Sequence, residues 1–336
     1  MAARRQKNVH PVDARSLREA AARLRRGELV AFPTETVYGL GANALDARAV
    51  AKIFAAKGRP SDNPIIVHVS DQKMLRKIAG PLPARAKRLV ARFWPGPLTL
   101  ILSKKSLVPS LVTAGLDTVA VRMPEGVARE LVAAAGVPIA APSANLSGRP
   151  SPTTAAHVAE DFPDVFVLDG GSTKHGVEST VVALDPRPVV LRQGALSEEC
   201  LRKTIPGLRR AASSGRLASG GGAFSSKVKG AASPGTKYTH YAPTRPLTLF
   251  LRESSLLSHF RKHPSALVLG PSRLSSIVPK QRFLSLGSSP EEIARGLFAA
   301  LRTRRRGSEL LVLAVPRRGL GRTIMDRLER AATRIA

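Results

Sequence analysis

The chain has 336 residues, enough for one large domain and a small one, and its 43% hydrophobic and 4% aromatic content implies a core of Val, Leu, Ile and Ala. Against 24 acidic residues stand 53 basic ones, a net charge of +29 whose field draws in polyanions such as nucleotides or RNA, although a generally basic or solubility-driven composition explains it equally well. The single cysteine, Cys200, excludes an internal disulfide and any cysteine-based zinc site, and no apolar run approaches the roughly 18 residues of a membrane span.

A capping box over 16–19 opens a first helix, with Leu17, Ala20, Ala21 and Leu24 on one face. A strand over 29–32 follows, then a helix over 48–57 with Gly58 as its C-terminal cap and Pro60 blocking continuation. Further strands are expected over 65–69, 98–102, 118–122, 138–141, 165–168, 180–184 and 189–191. Helices are expected over 84–93, 127–135 and 153–161. The irregular mixture implies a twisted, open mixed sheet with flanking helices.

Composition changes near residue 211. Residues 211–235 are dense in Ser, Gly and Ala, and the string K-Y-T-H-Y-A-P follows over 237–243. Beyond it, strands over 247–251, 266–269 and 310–315 alternate with helices over 290–301 and 321–335, the last with Ile324, Leu328, Ala331 and Ile335 on one face. The expected organisation is a large α/β domain over 1–210, a flexible linker over 211–243, and a small Rossmann-like α/β domain over 244–336. Basic residues 1–7 lack the apolar core of a secretion signal, so the expected compartment is the cytoplasm, with no membrane partner.

Common chemical motifs are missing. There is no G-x-x-x-x-G-K-[ST], no H-E-x-x-H and no G-x-S-x-G, the seven histidines lack ligand spacing, and no metal site is expected. Gly39-Leu40-Gly41 begins like a dinucleotide fingerprint but lacks the third glycine. What stands out is a set of small polar clusters at the ends of predicted strands, where α/β sheets bind ligands. Lys57-Gly58-Arg59 puts two cations on a tight turn, suited to a polyphosphate; a cation at the negative end of a helix dipole explains Lys57 as well. Ala141 to Ser151 offers hydroxyls, an amide and glycine-permitted turns for phosphate or base contacts, or is an ordinary loop. Arg122, ending a strand, is either a carboxylate clamp or a surface cation, and His68, inside an apolar strand, fits a core histidine.

Taken in order, P-T-E-T-V-Y-G-L-G, K-G-R-P-S-D-N-P, F-W-P-G-P-L-T-L, V-A-V-R-M-P, A-P-S-A-N-L-S-G, G-V-E-S-T-V-V and L-R-Q-G resemble the YrdC-like threonylcarbamoyl-AMP synthase family over residues 13–200. The string at 237–243 and the C-terminal hundred residues resemble that family's longer, two-domain form. The resemblance implies synthesis of threonylcarbamoyl-AMP and pyrophosphate from L-threonine, bicarbonate and ATP with Mg²⁺ and no tightly bound cofactor. The product would feed threonylcarbamoyladenosine formation beside the tRNA anticodon, through a downstream tRNA threonylcarbamoyltransferase.

The same resemblance assigns Lys57 and Arg59 to catalysis by charge neutralisation. It implies ATP contacts from Lys57, Arg59, Asn63, Thr118, Ser143, Asn145, Ser151, Arg192, His240 and Tyr241. Threonine contacts would come from Thr36, Tyr38, His68, Arg122, Ala141 and Ser179. The 237–243 string is expected to fold over the pocket mouth as a lid. Thr236 departs from the methionine frequent in the family. The alternative from another class is a basic RNA-binding module without adenylation activity. The charge favours it and is compatible with weak tRNA binding; the scarcity of aromatics for base stacking opposes it. A carbamoyl-transfer domain of the hydrogenase-maturation type has a related fold but brings cysteine-rich zinc fingers, which one cysteine cannot supply.

Overall fold

The computed structural model describes residues 8–211 and 241–336. Eleven strands form the larger sheet: β1 (Val9–Pro11), β2 (Val30–Phe32), β3 (Gly39–Asn43), β4 (Val67–His68), β5 (Leu98–Ser103), β6 (Thr118–Arg122), β7 (Ile139–Ala140), β8 (Phe166–Asp169), β9 (Thr180–Ala183), β10 (Val189–Arg192) and β11 (Arg209–Arg210). Their spatial order is β1-β8-β2-β3-β7-β4-β6-β5-β9-β10-β11, with parallel and antiparallel neighbours mixed. Eight helices accompany them: α1 (Ala14–Arg25), α2 (Ala47–Lys57), α3 (Gln72–Ile78), α4 (Ala84–Phe93), α5 (Ser110–Thr113), α6 (Gly126–Ala135), α7 (Ala155–Asp161) and α8 (Glu198–Arg202). The middle of β6, Val119, Ala120 and Val121, is a continuous apolar run because the strand is covered on both faces, and polar residues stand at its ends.

The second sheet contains β12 (Leu247–Phe250), β13 (Leu267–Gly270), β14 (Phe283–Ser285), β15 (Leu310–Leu313) and β16 (Arg334–Ile335), ordered β14-β13-β15-β12-β16 and parallel throughout. Helices α9 (Glu253–Lys262), α10 (Pro290–Leu301) and α11 (Gly321–Ala331) connect its strands. This is the small Rossmann-like α/β fold expected from the alternation of elements. Among the described residues, no helix is long and apolar enough to cross a membrane.

Local chemistry explains most element ends. Gly58 closes α2 in the left-handed conformation at φ 59°, where a side chain would be strained. Ser289 and Glu292 form a reciprocal capping box at the start of α10, with Pro290 at its first position. Two expectations are corrected. The N-cap of α1 is Asp13, which accepts from the Ser16 amide at 2.7 Å, and Ser16 lies inside the helix. The last helix stops at Ala331, and Ile335 belongs to β16, half-exposed beside β12. Gly39–Asn43 is a strand, not the start of a dinucleotide loop. It pairs antiparallel with β2, and a Cβ on Gly41 would fall 2.6 Å from the Phe32 ring and 2.8 Å from Ile139. The glycine is there for close packing.

Candidate active site

Strand register builds one end of a cavity. β4 and β6 are parallel with His68 opposite Arg122, and β5 lies antiparallel on the other side of β6 with Thr99 opposite Arg122. Arg122 is buried. Its Nε donates to the Gly96 carbonyl (3.2 Å), Nη1 to Thr36 Oγ1 (2.9 Å), and Nη2 pairs with Glu35 Oε1 (2.5 Å). Thr36 is further tied to Thr34 through their hydroxyls at 2.7 Å. Ser179, just before β9, shares a 2.8 Å hydroxyl contact with Thr99. His68 is buried, its Nδ1 has no hydrogen-bond partner, and burial together with Arg122 lowers its pKa to about 3, so the ring is neutral at physiological pH.

The other end is cationic. Lys57 lies on the buried face of α2, in phase with Val50 and Ile53, and is 3% exposed. Its Nζ donates to the carbonyls of Ser143 (2.6 Å) and Asn145. Burial first, and then Arg59, push its pKa well below the usual lysine range. Arg59, half-buried on the turn after α2, donates through Nη2 to the carbonyls of Asn63 (3.2 Å) and Pro64 (3.0 Å). Arg192, ending β10, is buried and donates to the Ser179 carbonyl at 2.9 Å and its hydroxyl at 3.2 Å.

One cavity joins both ends. Among the described residues, five cations line it, Lys57, Arg59, Arg122, Arg149 and Arg192, against a single carboxylate, Glu178. Burial alone would raise the Glu178 pKa; Arg327 and Arg192 outweigh that and hold it at about 2. Such a lining accepts a polyanion at one end and presents hydroxyls, a neutral imidazole and a guanidinium to a small zwitterion at the other.

The family described as "Telomere recombination", the Sua5/YciO/YrdC group, matches residues 22–194, and the family described as "Threonylcarbamoyl-AMP synthase, C-terminal domain" matches residues 197–333. The chain is 45% identical over 331 residues to the threonylcarbamoyl-AMP synthase of Pyrococcus abyssi, covering 94% of each. The chain belongs to the threonylcarbamoyl-AMP synthase family. The synthase of Bacillus subtilis is likewise 45% identical over 328 residues, 94% of this chain and 92% of that one. Among solved structures, P. abyssi Sua5 complexed with L-threonine superposes with a TM-score of 0.86 at 43% identity, covering 97% of this chain and 98% of that one.

Of the residues that the resemblance to this synthase family singled out, the cavity gathers Thr36, Tyr38, Lys57, Arg59, His68, Arg122, Ala141, Ser143, Asn145, Ser179, Arg192 and Tyr241. It does not gather the rest. Thr118 stands at the opposite end of β6 from Arg122, roughly 13 Å along the strand. Asn63 is buried behind the Arg59 turn, with Oδ1 unpartnered. Ser151 is buried with its hydroxyl committed to Glu178 Oε1 at 2.7 Å. His240 and most of the expected lid lie outside the described residues. Tyr38 borders the cavity, but its hydroxyl donates away from it, to the Gly171 carbonyl at 2.8 Å. Asn145 also serves the loop, its amide donating to the carbonyls of Leu146 and Arg149. Sequence reasoning passed over Glu35, Arg149 and Glu178. Both glutamates stand inside motifs it quoted, beside Thr36 and Ser179, and a carboxylate adjoining an expected ligand contact was the available signal.

Proposed function

We propose that this chain condenses L-threonine, bicarbonate and ATP into threonylcarbamoyl-AMP and pyrophosphate, supplying the activated group for threonylcarbamoyladenosine in tRNA. The observation that carries the reading is the two-ended cavity: Arg122, Thr36, Ser179 and His68 at one end, Lys57, Arg59 and Arg192 at the other. Arg122 binds the threonine carboxylate with the guanidinium protons left beyond its bonds to Gly96, Thr36 and Glu35. His68, neutral and with a free Nδ1, accepts a hydrogen bond from the amine.

The amine attacks carbon dioxide, formed from bicarbonate with loss of water, and gives a carbamate. A carbamate oxygen then attacks the α-phosphorus of ATP, and pyrophosphate leaves. Two anions must approach each other, so orientation and charge neutralisation supply most of the acceleration. Lys57 and Arg59 neutralise the triphosphate, and the bound phosphates return to Lys57 the counter-charge that burial withholds. Ser143, Asn145 and Arg192 contact the nucleotide, with Tyr241 beside them. Magnesium enters on the triphosphate as part of the substrate. Glu178, the one carboxylate among the described lining residues, is already held by Ser151 and Arg327 and so would leave the ion to the substrate's own phosphates. The product is a reactive mixed anhydride, which a separate tRNA threonylcarbamoyltransferase consumes.

Pyrophosphate release tests this directly. It is expected to require ATP, threonine and bicarbonate together, with threonylcarbamoyl-AMP identified by mass. Release that persists without threonine or without bicarbonate would overturn the reading.

A further inference from the structure

The carboxylate that lines the cavity takes its partner from a helix of the C-terminal domain. Arg327 lies on the inner face of α11 between Ile324 and Leu328 and is 1% exposed. Its Nε donates to Glu178 Oε2 at 2.9 Å, its Nη2 to the Gln193 carbonyl at 2.8 Å, and its Nη1 pairs with Asp326. The guanidinium also sits 5.3 Å from the centroid of the Tyr241 ring, which stacks on Phe298 of α10 at 5.1 Å. Tyr241 holds an unusual left-handed backbone at φ 68° and lines the cavity. One arginine of α11 therefore touches both the carboxylate that lines the cavity and the tyrosine beside it.

A merely adhesive contact would not need this residue. Position 327 falls on the apolar stripe of α11, and burying a cation there is costly unless it is paired. An aliphatic side chain would serve docking at least as well. The charge matters because of what else faces Glu178: Arg192 of β10, the Ser151 hydroxyl and Tyr241, with Asp326 behind Arg327. With Arg327 gone, Arg192 remains, among the described residues, as a cation whose charge acts on Glu178. A carboxylate turned onto Arg192 would cancel a cation of the nucleotide wall.

We propose that Arg327 is a positioning residue for the synthesis, holding Glu178 off Arg192 and fixing Tyr241 so that the second domain keeps the cationic wall available to the nucleotide. This rests on the reaction proposed above.

The test uses the full chain as wild type, Arg327→Met, Arg327→Lys and Thr323→Val. Thr323 of α11 donates to the Gly194 carbonyl at 2.9 Å, another buried contact of that helix with the larger domain, but it does not line the cavity. Pyrophosphate release is measured against ATP concentration from about pH 5 to pH 8, and ATP affinity is measured by calorimetry. Arg327→Met is expected to raise KM for ATP at least about tenfold with a smaller fall in kcat, and to introduce an acid limb in kcat/KM as Glu178 begins to titrate. Arg327→Lys keeps the charge and recovers part of both. Adding Glu178→Gln to Arg327→Met removes the acid limb. Thr323→Val keeps the wild-type KM and pH profile whatever it does to stability.

Wild-type KM and pH profile in both Arg327 variants, or Arg327→Met kinetics reproduced by Thr323→Val, would overturn the positioning role. Should Arg327→Met not fold, Arg327→Lys and its calorimetric ATP affinity decide alone. A wild-type chain that binds ATP but releases no pyrophosphate overturns the reaction, while weaker ATP binding in the Arg327 variants still reads the positioning role.

Discussion

Lys57 Nζ bridges the carbonyls of Ser143 and Asn145, joining the end of α2 to a loop 86 and 88 residues further along the chain. The bridge fixes the loop that lines the cavity and places the cation in its wall. Lys57→Met leaves one buried and one part-buried carbonyl without this donor, and each hydrogen bond to a charged group is worth about 1.5–3 kcal/mol. Activity is expected to fall about 100-fold or more, accompanied by a lower melting temperature. Pyrophosphate release and thermal unfolding on the same preparation check both.

Arg122→Lys is expected to separate the substrates. The guanidinium serves Gly96, Thr36 and Glu35 in three directions, and an ammonium cannot reproduce that fork. KM for threonine should rise about 10- to 100-fold, the cost of one or two charged hydrogen bonds, while KM for ATP changes little. A parallel rise in both would place Arg122 in the scaffold and not at the threonine end.

Acid should destabilise the fold in two stages. His68 has a folded pKa of about 3 against 6.5, so its contribution is complete above 6.5 and is lost as pH falls toward 3. Glu178 has a folded pKa of about 2 against 4.5, so its contribution is complete above 4.5 and is lost as pH falls through 2. The Glu178 shift corresponds to on the order of 3 kcal/mol. Urea unfolding at a series of pH values should show stability declining below neutrality, and His68→Gln should flatten the upper stage. A stability that is flat across both stages would contradict these assignments.

Gly41→Ala tests packing against phosphate binding. The added methyl would press on the Phe32 ring and Ile139, and overpacking of this kind costs about 1–3 kcal/mol. The variant should melt earlier with KM for ATP unchanged. A raised KM without loss of stability would point to a nucleotide role for the Gly39-Leu40-Gly41 run.

Several elements were legible because their signals are local. The helix over 84–93 and that over 290–301 match the observed α4 and α10, and the strand over 118–122 matches β6. Each carries its own periodicity, cap or proline stop. β3 was not legible, since Gly39–Asn43 lacks strand-forming side chains and becomes a strand only by pairing with β2 and β7. The cap of α1 was misread because Asp13 and Ser16 are both good caps, and the choice depends on where the chain arrives from β1.

The cavity shows the same division. Polar clusters at strand ends, a lysine in phase with the apolar face of α2, and a strongly positive charge are all written in the chain, and with them the class of ligand. Which polar groups remain available to that ligand was decided only by the tertiary structure. Ser151 and Glu178 stand in separate motifs, yet they bond to each other, and Glu178 is completed by Arg327, 149 residues away. Tyr38 turns its hydroxyl to Gly171, and Thr118 stands at the opposite end of its strand from Arg122. A buried polar group must find a partner, and that partner is set by whatever packs against it across the fold, so no local pattern can announce it.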